Sequence, residues 1–210
     1  MSLIKAAGAG EQSTGFYKHL LDQSLKFNDG DSQYLKRTPA SAGNRKTWTW
    51  SGWVKRSNIS INSFIFGCGS SSSNFAFIGF SSDNKIDIRD YQSSYTYSSK
   101  TSQLFRDTSA WYHLVLAADM DNSTAADRIK LYVNGERVTS FNSAPSPTTK
   151  DLVTNSAIQH VIGAGYYNDG SGLNAYLDGY LAEVNFVDSA ALTPASFGET
   201  IEGIWIPKDT

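Results

Sequence analysis

The run Trp111-Tyr112-His113-Leu114-Val115-Leu116-Ala117-Ala118-Asp119, followed by Ile129-Lys130-Leu131-Tyr132-Val133-Asn134-Gly135-Glu136-Arg137-Val138, decides the fold class. Its first segment is apolar almost throughout, as in a strand engaged on both faces. In the second segment Ile129, Leu131 and Val133 alternate with Lys130 and Tyr132. That period of two marks a strand with one face buried. Asn134-Gly135 supplies the positive backbone angles that a tight hairpin turn needs. The stretch predicts three antiparallel strands, and no chemistry is visible in it.

Strand signals continue on both sides. Leu25 and Phe27 precede the turn cluster Asn28-Asp29-Gly30-Asp31, and Tyr34 to Arg37 resumes the strand. Thr47 to Arg56 is rich in tryptophan and β-branched residues. Its alternation places Trp48 and Trp50 together and Trp53 opposite, unless Gly52 marks a bulge. Short strands are expected at 63–67, 75–80, 85–89, 95–98, 160–164 and 176–188. Thr193-Pro194-Ala195-Ser196-Phe197-Gly198 reads as one helical turn with a proline start and a glycine exit. Many short strands without a sustained helix predict an all-β fold of two antiparallel sheets packed face to face, a jelly-roll sandwich.

Residues 1–23 differ from the rest. Ala6 to Gly10 is too small to build a core, while Phe16, Tyr17, Leu20 and Leu21 fall at helical spacing. This segment reads either as a short helix packed on the domain or, the favoured expectation, as an arm that docks on a neighbouring subunit. The sandwich then spans residues 24–210, with a C-terminal extension from about residue 189.

Composition narrows the function. The chain has 210 residues and a net charge of −2, whereas a nucleic-acid binder carries a basic stripe. The one basic cluster, Arg45-Lys46 with Lys55-Arg56, is short. Cys68 is the only cysteine, so no intrachain disulfide forms, and its apolar setting predicts a buried, inert thiol. No apolar run reaches the length of a signal peptide or a membrane span. Neither nucleic-acid binding nor membrane insertion is expected, and synthesis is expected in a cytoplasm.

The ordered strands resemble the laminin-G-like, or concanavalin A-like, jelly roll. The matching elements are Ser24 to Phe27 with Gln33 to Leu35, Trp48 to Lys55, Trp111 to Val115, Ile129 to Gly135 and Leu177 to Val184. A narrower resemblance, to virion-associated proteins of tailed phages, lies in the Gly/Ala start with Phe16-Tyr17, in Arg37 to Trp48, in Phe186 to Asp188 with Leu192 to Glu199, and in Gly203 to Lys208. It implies a non-catalytic structural protein of the virion, a tail or fibre component or a capsid-surface appendage. Such a protein would be a homo-oligomer, partnered with other virion proteins and held by its N-terminal arm.

The jelly roll also hosts glycoside hydrolases, which the resemblance implies would carry Glu, Asp and Glu along one strand. The nearest match is Glu183-Val184-Asn185-Phe186-Val187-Asp188, where Asn185 replaces the central acid. In an unbulged strand Glu183 and Asp188 would point to opposite faces, so no enzyme and no catalytic residue is expected. His19, His113 and His160 have no metal-binding spacing, and no cofactor is expected. Calcium, common at the rim of laminin-G-like domains, would use Asp119, Asp121 and Asn122, or Asn168 and Asp169. The rival function is lectin-like recognition of a host-surface glycan. Its candidate contacts are Tyr91, Tyr95, Tyr97, Tyr166 and Tyr167, in serine- and asparagine-rich surroundings. Tyrosines on a sheet's outer face also serve as cross-strand pairs or subunit contacts.

Overall fold

A computed structural model describes residues 23–142, 147–166 and 172–208. Two six-stranded antiparallel sheets form a sandwich. Sheet A runs, edge to edge, β1 (Leu25–Phe27), β14 (Gly179–Asp188), β3 (Thr47–Arg56), β8 (Tyr112–Asp119), β9 (Ile129–Val133) and β10 (Glu136–Arg137). Sheet B runs β2 (Leu35–Arg37), β11 (His160–Ile162), β4 (Ser63–Ser71), β5 (Asn74–Phe80), β6 (Ile86–Gln92) and β7 (Tyr95–Lys100). Two small hairpins flank the sheets: β12 (Gly165–Tyr166) with β13 (Leu173–Asn174), and β15 (Gly198–Ile201) with β16 (Ile204–Pro207).

The three strands predicted from the opening stretch are neighbours, β8, β9 and β10. Asn134 and Gly135 take φ of 49° and 86° in the turn between β9 and β10. The core forms between the sheets, where Trp48, Trp50, Leu114, Leu116, Ile129 and Leu131 of sheet A meet Ile65, Phe66, Ile78, Phe80, Ile86 and Ile88 of sheet B. Burying each such side chain contributes roughly 1.5–3 kcal/mol. Trp53 lies on the opposite face of β3, because the β3–β8 register runs from Thr47↔Asp119 to Val54↔Tyr112 without a shift. The bulge sits in β14 instead, between Ala182 and Asn185, with Glu183 at a φ of 48°. The condition under which Glu183 and Asp188 would alternate simply, an unbulged strand, is therefore not met at Glu183.

Two consequences shape the surface. First, β1 pairs with β14 only over Leu25↔Leu181 to Phe27↔Gly179. The second half of β14 therefore has no strand on that side among the described residues. Secondly, the chain after β14 crosses the outer face of sheet A. Thr49 Oγ1 donates to the Ala190 carbonyl at 2.7 Å and accepts from the Leu192 amide at 2.7 Å. The β15–β16 hairpin then seats Trp205 on His113, with ring centroids 5.9 Å apart. Only glycine fits beneath that indole, since a Cβ on Gly135 would stand 2.6 Å from Trp205 Cε3. Cys68 is fully buried beside Ala76, Val153 and Ile158, and burial pushes its thiol up to about 12. The arm residues Phe16, Tyr17, Leu20 and Leu21 lie outside the described residues.

Candidate functional site

The outer face of sheet B gathers three of the five candidate tyrosines. Phe64, Phe75 and Phe77 form a buried aromatic layer there, with Tyr91 and Tyr166 packed against it. Phe64 stacks on Phe77 at 3.9 Å, Phe75 on Tyr91 at 5.3 Å, and Tyr91 meets Tyr95 edge-on at 4.8 Å. Tyr166 accepts a hydrogen bond from Gln159 Nε2 at 3.1 Å. Tyr97 does not join them. The β6–β7 register shifts between Asp90 and Tyr91, and Tyr97 turns into the core. Tyr167 lies outside the described residues. The charged groups on this face are engaged with their neighbours: Arg89 donates to both Asp87 oxygens at 2.9 and 2.7 Å and to Tyr95 Oη at 3.5 Å, and Lys100 lies 3.8 Å from Asp87.

A concave site of ≈ 620 Å³ opens elsewhere, where the short β1 leaves the edge of the sandwich uncovered. One wall is Phe186 and Asp188 of β14. The other is Leu35 to Arg37 of β2 with His160 to Ile162 of β11, and the loop Pro39 to Gly43 forms one end. Phe66 of β4 and Phe186 supply an aromatic floor, their centroids 6.0 Å apart. Phe186 also stacks on Trp48 at 5.7 Å yet remains 39% exposed. An aromatic ring both braced from behind and open in front suits the apolar face of a ring-shaped ligand.

The polar groups of this cleft are held by a linked network. Asp188 Oδ1 accepts from the Asn44 amide at 2.9 Å and from Asn155 Nδ2 at 2.6 Å. These bonds, the Asn44 amide foremost, keep its carboxyl below the usual carboxylate range. The Asn155 amide N–H donates to His160 Nε2 at 3.0 Å, which leaves Nδ1–H to donate to the Ile158 carbonyl at 2.9 Å. The ring is thereby fixed in one neutral tautomer, and burial holds its pKa down. Gly43 is needed at the loop's tip, where a Cβ would stand 2.5 Å from Asn155 Nδ2.

Buried Asp90 anchors the loop that presents Asn155. Its Oδ2 accepts from the Val153 amide at 2.7 Å, and neighbouring Gln92 Nε2 donates to the Asp151 carbonyl at 2.7 Å. Arg45 Nε completes the tether by donating to the Leu152 carbonyl at 2.6 Å. None of the cleft's principal residues was proposed as a binding residue from sequence; Arg37 to Gly43, Phe186 and Asp188 stood only in the runs that carry the narrower resemblance, and Asp188 also in the test for a catalytic pair.

The sequence-predicted carboxylates do not form a catalytic pair across this cleft. Glu183 stands exposed at the bulge, Asn185 pairs with Ser51 and bonds the Glu183 carbonyl, and Asp188 alone lines the cleft. In the proposed calcium loop, Asp121 pairs with Lys46 at 2.7 Å, and Asp119 accepts from Asn122 within the turn. Asn168 and Asp169 lie outside the described residues, as does His19. His113 and His160 occupy different surfaces. Among the described residues no group of three or more His, Cys, Asp or Glu side chains comes together, and no helix is long and apolar enough to cross a membrane.

Comparison with known proteins agrees with this architecture. Residues 29–196 match the family model described as the concanavalin A-like lectin/glucanases superfamily. Among solved structures, a native heptameric SAP-like pentraxin from Limulus polyphemus is similar with a TM-score of 0.55 and 17% identity, over 82% of this chain and 78% of that one. Domains LG4-5 of the mouse laminin alpha1 chain give 0.53 and 14%, over 80% of this chain and 42% of that one. The CBM40 of Ruminococcus gnavus IT-sialidase gives 0.54 and 10%, over 83% and 95%. These are likenesses of fold. No curated protein sequence matches the chain.

Proposed function

The chain belongs to the concanavalin A-like lectin/glucanases superfamily, and on that basis we propose that it is a non-catalytic carbohydrate-recognition domain whose binding site is the cleft at Phe186. The observation that carries this reading is the aromatic floor. Phe186, braced on Trp48 and Phe66, faces an open concavity whose size falls in the range of small-molecule sites. Sugar hydroxyls would find the Asp188 carboxylate and the Asn155 side-chain oxygen as acceptors on the rim. The family's lectin members support the class of ligand, and the missing second carboxylate supports recognition over hydrolysis. On the tyrosine face of sheet B the rings pack on one another and Arg89 is engaged by Asp87 and Tyr95.

The virion setting implied by the Arg37 to Trp48 run is compatible with this reading, because that run builds one end of the cleft. A particle-surface domain holding a glycan would attach the particle to its host. A glycan array followed by titration calorimetry tests the binding site. Phe186→Ala is expected to weaken the best ligand at least tenfold, about 1.4 kcal/mol, while Phe186→Leu, which keeps the packing on Trp48, also weakens it. Tyr95→Ala is expected to change nothing. Binding that survives both Phe186 substitutions and disappears with Tyr95→Ala would move the site to sheet B.

A further inference from the structure

We propose that this cleft selects sugar residues that carry a negative charge, a carboxylate or a sulfate ester, and that Arg37 is the side chain that receives it. The proposal rests on the reading of the cleft as a glycan site. In sheet B, Arg37 stands opposite His160, and His160 stands opposite Cys68. Phe66, two residues before Cys68 on β4 with no register shift between them, lies in the core between the sheets, so this row of side chains is on the inner face of sheet B, and exposed Arg37, at the end of the row, lines the cleft. Lys36 adjoins it on the same strand.

Arg37 has no hydrogen-bond or ion-pair partner among the described residues. Five other arginines are engaged: Arg45 with Leu152 and Asp151, Arg56 with Asn84 and Phe105, Arg89 with Asp87, Arg128 with Asn122 and Pro147, and Arg137 with Asp127 and Ala126; Arg106 is exposed and does not line the cleft. The carboxylate on the lining, Asp188, belongs to the opposite sheet and is already bonded to Asn44 and Asn155. His160, beside Arg37, has both ring nitrogens committed and its Nε2 locked as an acceptor. The wall therefore presents one unengaged guanidinium, whose planar fork matches the two oxygens of a carboxylate or sulfate. The neighbouring apolar floor lowers the local dielectric and strengthens that attraction relative to open surface. A pyranose resting on Phe186 would then present hydroxyls toward Asp188 and an acidic substituent toward Arg37.

The test uses the full chain and glycans in matched sets: the free carboxylate, its methyl ester, a sulfate ester and the unsubstituted sugar on one backbone. The charged members are expected to bind at least tenfold tighter than the methyl ester at low salt. That ratio should shrink as sodium chloride is raised to about 0.5 M, where screening acts within a few ångströms. Arg37→Gln should remove the ratio and Arg37→Lys should keep part of it, with thermal stability unchanged, since Arg37 is an exposed edge residue. The carboxylate and sulfate arms identify which anion is preferred. Equal binding of the neutral members, or a ratio indifferent to Arg37→Gln, overturns charge selection while Phe186-dependent binding would leave the glycan reading standing. An array on which no glycan binds overturns both.

Discussion

Protonation of His113 costs this fold something it does not cost an unfolded chain. Trp205 Nε1 donates to His113 Nδ1 at 3.0 Å, so Nε2 carries the proton and donates to Ser51 Oγ at 2.9 Å. Trp53 stacks on the ring at 4.8 Å, and burial brings the pKa from 6.5 down to about 4. A cationic ring would have to give up the Trp205 bond. Because the folded pKa is the lower one, this contribution to stability is complete above about pH 6.5, is lost as pH falls toward 4, and changes no further below that. The full loss is up to about 3 kcal/mol at 1.36 kcal/mol per pKa unit. Urea unfolding at pH 7 and pH 4.5 should show it, and His113→Gln should flatten the difference, leaving the smaller part that half-buried His160 contributes in the same direction. An undiminished pH dependence in His113→Gln would assign the effect to other groups. From sequence His113 stood only as a histidine within a strand and without metal-binding spacing; its partner Trp205 is 92 positions away, and no local pattern could have named it.

At the scale of elements, the C-terminal hairpin acts as a cover for sheet A, and Trp205 is its main point of attachment. Trp205→Ala is expected to lower stability by about 2 kcal/mol, less than for a fully buried tryptophan, and to raise the His113 pKa toward 6.5. An NMR titration of the imidazole in that variant reads the second effect directly; an unmoved pKa would mean that the hairpin does not shield His113. The long strands were legible because alternation and turn chemistry are local signals. The 183–184 bulge, the inward turn of Tyr97 and the small β12–β13 hairpin were not. Each depends on which strand lies alongside, as the β6–β7 register shift at Asp90/Tyr91 illustrates. The hydrolase-like spacing of Glu183 and Asp188 was read on a straight strand, and the bulge altered what that spacing meant.

At the scale of the molecule, the cleft exists only because two sheets meet at an incompletely covered edge. Arg37, Phe66, His160 and Phe186 come from four strands spread over most of the chain, so proximity among them could not be read from their neighbours in sequence. Among the described residues the core begins at Phe27. With the arm expected to serve assembly, deleting residues 1–22 is expected to leave the melting temperature within a few degrees and glycan binding intact; light scattering on the same protein tests whether the arm governs assembly. A collapse of the melting temperature would show that the arm is part of the core. The lone thiol adds a practical consequence. Cys68 is inaccessible and weakly acidic where it lies, and the chain has no other sulfhydryl. A thiol reagent can then react only through an opening fluctuation. Because Cys68 packs against Val153, beside the loop that carries Asn155, the labelling rate is a clock on how often this end of the sandwich breathes.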